Sequence, residues 1–103
     1  MCNCCVKTIK TTAVQFQSDQ VIYTIPATVG LNRNQAYNII FCQPLPNEAT
    51  LGSSIVITDG TTNYNVLSKK GDSLLTKYIV NRCGLKTWFG GTTFTLRNFI
   101  CIQ

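Results

Sequence analysis

SSIVITDGTTNYNVL, residues 53–67, decides the fold class. Asp59-Gly60 is a favoured two-residue hairpin turn, because glycine accepts a positive φ without a Cβ clash. With Thr58 set opposite Thr61, Ile57 faces Thr62, Ile55 faces Tyr64 and Ser53 faces Val66. One face then carries Ile55, Ile57, Tyr64 and Val66, an apolar core set. The other carries Ser54, Val56, Asn63 and Asn65, which is mostly polar. Turn chemistry and the period-two pattern agree on a hairpin with one buried side.

The flanking sequence extends this reading. Downstream, SKKGDS is a turn, and LLTKYIVNRC reads as a strand, or as a strand after a short helical turn. KTWFGGTTFTL holds a second hairpin signal at Gly90-Gly91, which sets Phe89 opposite Thr92, Thr87 opposite Phe94 and Leu85 opposite Leu96. RNFICIQ closes the chain as strand. Upstream, VKTIKTTAVQF, residues 6–16, reads as one strand. Ser18-Asp19 reads as a turn and QVIYTI as the next strand, which Pro26 either ends or marks as an edge. AYNIIFCQ, residues 36–43, is a nearly continuous apolar run, which predicts burial on both faces. Pro44 and Pro46 keep the following link extended.

The composition fits strands. There are ten Ile, seven Val and fourteen Thr, and Glu48 is the one glutamate. The pattern predicts an all-β fold, a small antiparallel sandwich or barrel of about six to eight strands. Residues 6–103 form one β domain, preceded by a cysteine-rich arm, residues 1–5. A domain of 103 residues buries a modest core, so oligomerisation is an expected source of further stability.

The residue inventory argues against an enzyme. The chain has no histidine, which removes the commonest general base and the commonest metal ligand. Asp19, Asp59 and Asp72 sit in turn sequences, where aspartate serves the backbone, and Glu48 sits in the Pro-rich link. The glycines lack both phosphate-loop spacings. No cofactor is implied. Six cysteines occur: Cys2, Cys4, Cys5, Cys42, Cys83 and Cys101. Cys2, Cys4 and Cys5 are the only metal candidates, and they miss the usual C-x₂-C spacing. The first reading for them is an unstructured or buried end, with disulfides between subunits as the alternative. Cys42 and Cys101 read as small buried hydrophobes in apolar strands.

The net charge of +5 comes from nine cations scattered along the sequence. That scatter argues against a nucleic-acid partner, unless strands from distant segments line up. Trp88 and Phe89 point to opposite faces of a strand, so they cannot form one stacking platform. No apolar run reaches the ~18 residues that span a bilayer, and no signal peptide is visible. The expected place of synthesis and assembly is therefore the cytoplasm, with no membrane partner.

IVITDGTTNYNVLSKKGDSL, followed by a basic aromatic strand and FTLRNFICI, resembles small β-rich proteins in the virion gene modules of crAss-like gut tailed bacteriophages. The shared pattern is a strand, a short glycine turn, TxxYxVL and a polar glycine turn, about a quarter of the chain. The resemblance implies a head-fibre or capsid-decorating subunit, a homo-oligomer (dimer or trimer) that docks on other virion proteins. It would be assembled in the bacterial host cytoplasm and carried in the virion. It assigns no functional residues. Low charge, abundant Thr and Asn, many strands and small size point separately to an assembly module, docking by one sheet edge or by the N-terminal arm. The alternatives are a β-fold binding module for nucleic acid or carbohydrate, and a cysteine-based metal or redox protein.

Overall fold

β-Branched runs separated by turn residues produce eight strands and no α-helix in the computed structural model, which describes residues 7–80 and 82–101. The strands are β1 Lys7–Lys10, β2 Ala13–Gln17, β3 Gln20–Thr24, β4 Gln35–Ile40, β5 Ser54–Thr58, β6 Asn63–Leu67, β7 Arg82–Phe89 and β8 Thr93–Cys101. Short 3-10 turns occupy Ala27–Val29 and Thr76–Tyr78. The second confirms a short helical turn before the strand that begins at Arg82. The predicted arm, residues 1–5 with Cys2, Cys4 and Cys5, lies outside the described residues.

The strands form one sheet in the order β1-β4-β7-β8-β6-β5-β3-β2. The all-β class and the strand number agree with the sequence. The expected antiparallel pairing does not hold throughout, because β1–β4, β3–β5 and β6–β8 are parallel. These pairings join segments far apart in sequence, so no local turn signal announces them.

The stretch expected to be a single first strand is two strands on opposite edges of the sheet. Thr11 N–H donates to the carbonyl of Ile40 at 2.9 Å, and Thr12 N–H to that of Thr24 at 2.7 Å. Adjacent residues thus attach one continuous segment to β4 and then to β3. The sheet is curved into a half-barrel whose two edges meet in this strap.

Both glycine hairpins close with four-residue connections, not two. Thr58 pairs with Asn63, Ile57 with Tyr64 and Val56 with Asn65. Phe89 pairs with Phe94 and Thr87 with Leu96. The cause in the first loop is the Asp59 carboxylate, whose Oδ1 accepts the N–H of Thr61 at 2.9 Å and of Thr62 at 2.8 Å. Asp59 N–H and Gly90 N–H reach the carbonyls of Thr62 and Thr93 at 3.3 and 3.2 Å, so DGTT and GGTT form the same loop. The register moves by two, which keeps every side chain on its expected face; a shift of one would have inverted the set. Ile55, Ile57 and Val66 are buried, and Tyr64 packs against them half-buried.

The core lies inside the curve. Phe89 and Phe94 face each other across β7–β8 with ring centres 4.8 Å apart. Tyr64 meets Phe89 edge-on at 5.3 Å, and Tyr37 stands edge-on to both phenylalanines at 6.2 and 6.3 Å. Offset and edge-on contacts of this kind favour aromatic pairs by about 0.5–1.5 kcal/mol beyond area burial. Tyr23 stacks on Phe41 at 4.4 Å beneath the strap. The run 36–43 is not buried on both faces. Within β4 only Tyr37 and Ile39 are fully enclosed, while Ala36, Asn38 and Ile40 on the outer side are half-buried.

Candidate functional site

The turn residues singled out in sequence serve the fold. Gly60 and Gly91 occupy the left-handed region at φ 95° and 115°, as the two loops require. Gly90 and Asp59 complete those loops. Hydrogen bonds from the Thr62 and Thr61 N–H groups hold the Asp59 carboxyl below its ordinary pKa. Asp19 is also structural: its Oδ1 accepts a hydrogen bond from the Ser53 hydroxyl at 2.9 Å. These residues are not brought together into a site.

The cysteines do not converge among the described residues. Cys42 is exposed, which corrects the expected burial, and Cys83 is half-buried. The cause is position: Cys42 stands two residues beyond Ile40, the last residue of β4, and its N–H is taken by the Thr11 hydroxyl at 2.9 Å. The side chain of Cys101 lies outside the described residues. No group of three His, Cys, Asp or Glu residues is placed to hold a metal ion among the described residues.

The strongest surface feature is the free edge of β2. Ser18 and Asp19, at φ 53° and 61°, make a two-residue turn of the primed type, so Gln17 and Gln20 form the hydrogen-bonded pair that closes the hairpin. Alternation along an antiparallel ladder then makes Gln15–Ile22 and Ala13–Thr24 the other bonded pairs. The N–H and C=O of Val14 and Phe16 therefore point away from β3, and among the described residues β2 pairs with β3 alone. Edges are usually blunted by Lys, Pro or a bulge. Edge strand β1 carries Lys7 and Lys10, whereas β2, AVQFQ, carries no such residue. Alongside it runs a groove of about 560 Å³, walled by Val14 and Phe16 on one side and Pro44, Leu45 and Pro46 on the other.

A second feature is apolar. Leu51 is 61% exposed, Tyr78 48% and Val80 39%. The N–H of Lys77 donates to the carbonyl of Leu51 at 3.0 Å, which ties the 3-10 turn to the long link. Sequence reading missed these exposed side chains because they lie in irregular segments without period. It missed the β2 edge because 6–16 looked like one strand. The signal was present: inward residues fall at Ile9 and Thr11, then at Val14 and Phe16, so the alternation changes phase between them.

The chain matches no protein-family model, no curated protein and no solved structure. Among the described residues no helix is long and apolar enough to cross a membrane.

Proposed function

We propose that the chain is a non-enzymatic assembly subunit, a virion component of the head-fibre or capsid-decoration type, that works by oligomerising and docking. The observation that carries this reading is the unguarded β2 edge. Val14 and Phe16 offer two donors and two acceptors in a row, and a second copy laid antiparallel would present the same set in return. Such a pairing builds a two-fold dimer and extends the sheet across it. The exposed Leu51, Tyr78 and Val80 side chains offer further apolar contacts for other particle proteins. The resemblance of residues 55–74 to phage virion proteins supports the setting.

Native mass spectrometry of the freshly purified chain, without reductant or chelator, tests the oligomer. A metal-free dimer is expected. Gln15→Lys with Gln17→Lys places like charges on both paired edges and should yield monomer. Val14→Pro removes one of the free donors without touching the β3 ladder and should do the same. A wild-type monomer would remove the oligomer, and dimers persisting in both variants would remove the β2 edge. Peptides of this chain should be found in purified particles of the phage that encodes it; their absence would sink the virion reading.

One observation favours a carbohydrate module as a second reading. A neutral groove of about 340 Å³ lies on the outer face, lined by Gln15, Gln17, Gln20 and Asn63 over Ile22. Amides on an apolar floor suit hydroxyl groups. Saturable heat release on titration with a soluble glycan would establish it, and flat titrations across neutral sugars would dismiss it.

A further inference from the structure

The cations that look scattered in sequence are gathered by the sheet. Strands β1, β4, β7 and β8 lie side by side and hold Lys7, Lys10, Arg82, Lys86 and Arg97, with no carboxylate. Strands β6, β5, β3 and β2, the other half, contain no charged side chain at all. The four carboxylates, Asp19, Glu48, Asp59 and Asp72, all lie in turns and links.

The outward face of the cationic half also carries the one tryptophan. Lys86 and Trp88 are exposed on either side of buried Thr87, so both point out from β7 about 7 Å apart along the strand. Asn38 and Asn98 flank Lys86 across the ladder, and Ala36 and Thr95 flank Trp88. These small neighbours leave the indole 37% exposed, although it lies on an interior strand. A β-bulge opposite Lys86 and Thr87 lets Arg97 and Asn98 both face outward. The Arg97 guanidinium then sits 6.0 Å from the Trp88 ring centre. Lys10 stands on the same face at the β1 edge.

We propose that this face binds single-stranded nucleic acid. Lys10, Lys86 and Arg97 take phosphates, a base stacks on Trp88, and the amides of Asn38 and Asn98 meet base edges. A part-exposed indole with an arginine over its ring and a lysine beside it is an arrangement that single strands use, because an unpaired base offers its π-face to the indole or the guanidinium while its phosphate stays beside the cations. A duplex keeps its bases stacked inside, and an acidic peptide would use the cations and leave the indole idle. The proposal does not rest on the assembly reading.

Trp88 is the only tryptophan, so its fluorescence reports the contact in the unmodified full chain. Titration with oligothymidylate of about 15 nucleotides should quench it saturably at low salt. Affinity should fall with a log–log salt slope of about −2, as expected for three neutralised phosphates on a single strand. By anisotropy of the labelled oligonucleotide, Trp88→Ala should weaken binding about 5- to 150-fold. Lys86→Gln with Arg97→Gln should weaken it about tenfold or more and flatten the slope. Lys69→Gln with Lys70→Gln, in a loop off this face, should leave it within about twofold. An unquenched indole in the wild type at about 50 mM salt overturns the proposal. So does an equal loss in the loop variant, tighter binding of a duplex of the same length, or the same quenching by polyglutamate.

Discussion

Thr11 and Gln43 hold each other twice. The Thr11 hydroxyl donates to Oε1 of Gln43, and Nε2 of Gln43 donates to the Thr11 carbonyl at 3.1 Å. The same hydroxyl accepts the N–H of Cys42 at 2.9 Å. Thr11 is buried at the crossing between β1 and β2, so this clasp fixes the point where the strap changes edges.

Thr11→Val keeps the shape of the side chain and removes the hydroxyl. It strands the Cys42 N–H and Oε1 of Gln43 in a partly buried site, at a cost of about 1–3 kcal/mol. Urea denaturation should show that loss, and Thr11→Ser should recover most of it. Equal stability of the valine variant would mean that the clasp contributes nothing.

Gly84 lies where β7 presses on β4. A Cβ built there would stand 2.1 Å from the Ile39 carbonyl oxygen, a backbone atom that cannot swing aside. Gly84→Ala should cost roughly 2–4 kcal/mol and lower the melting temperature accordingly. Gly90→Ala, with no atom within 4 Å of the added methyl, is the control and should stay within about 0.5 kcal/mol.

Asp59 links turn geometry to pH. Its folded pKa is depressed by hydrogen bonds from Thr62 and Thr61, so its contribution is present above the ordinary carboxyl pKa. That contribution fades as pH falls through the lower, folded pKa. Asp59→Asn keeps an acceptor and should flatten the acid limb of a melting-temperature profile more than it lowers the plateau. An unchanged acid limb would show that the carboxylate charge is irrelevant to the loop.

Tyr23 governs the alkaline limb. Burial pushes its phenol from 10.0 up to about 12. The unfolded chain therefore loses this proton first. Stability is fully present below pH 10 and declines as pH rises toward about 12, by at most roughly 2–3 kcal/mol from this group. Tyr23→Phe keeps the stack on Phe41 and should make the decline between pH 9 and about 11.5 shallower in guanidinium titrations. A parallel decline in both proteins would assign the effect to other groups.

The faces of the fold were legible and its long-range pairings were not. Ile55, Ile57, Tyr64 and Val66 share one side because alternation depends only on parity. The registers of both hairpins stood two residues away from the simplest turn, because two extra residues fit in each loop and are held by a carboxylate in one of them. The parallel partners β3–β5 and β6–β8 depend on closure of the whole sheet, which no window of sequence contains. Cys42 looked buried because it ends an apolar run, yet the run outlasts the strand. The cationic face was hidden because Lys10, Lys86 and Arg97 become neighbours only through strand order. The one overlooked local clue was the change of phase between Ile9 and Val14.

That change of phase makes Thr11-Thr12 a spacer of fixed length. Irregular surface segments ordinarily absorb insertions with little effect. Here one added residue would turn either Ile9 outward or Val14 and Phe16 outward, and the half that slipped would lose its place on the core. This two-residue break thus tolerates little, while the long connection from Phe41 to Ser53 sets no comparable phase. Length variation in relatives of this chain should collect in that connection and stay out of the two threonines.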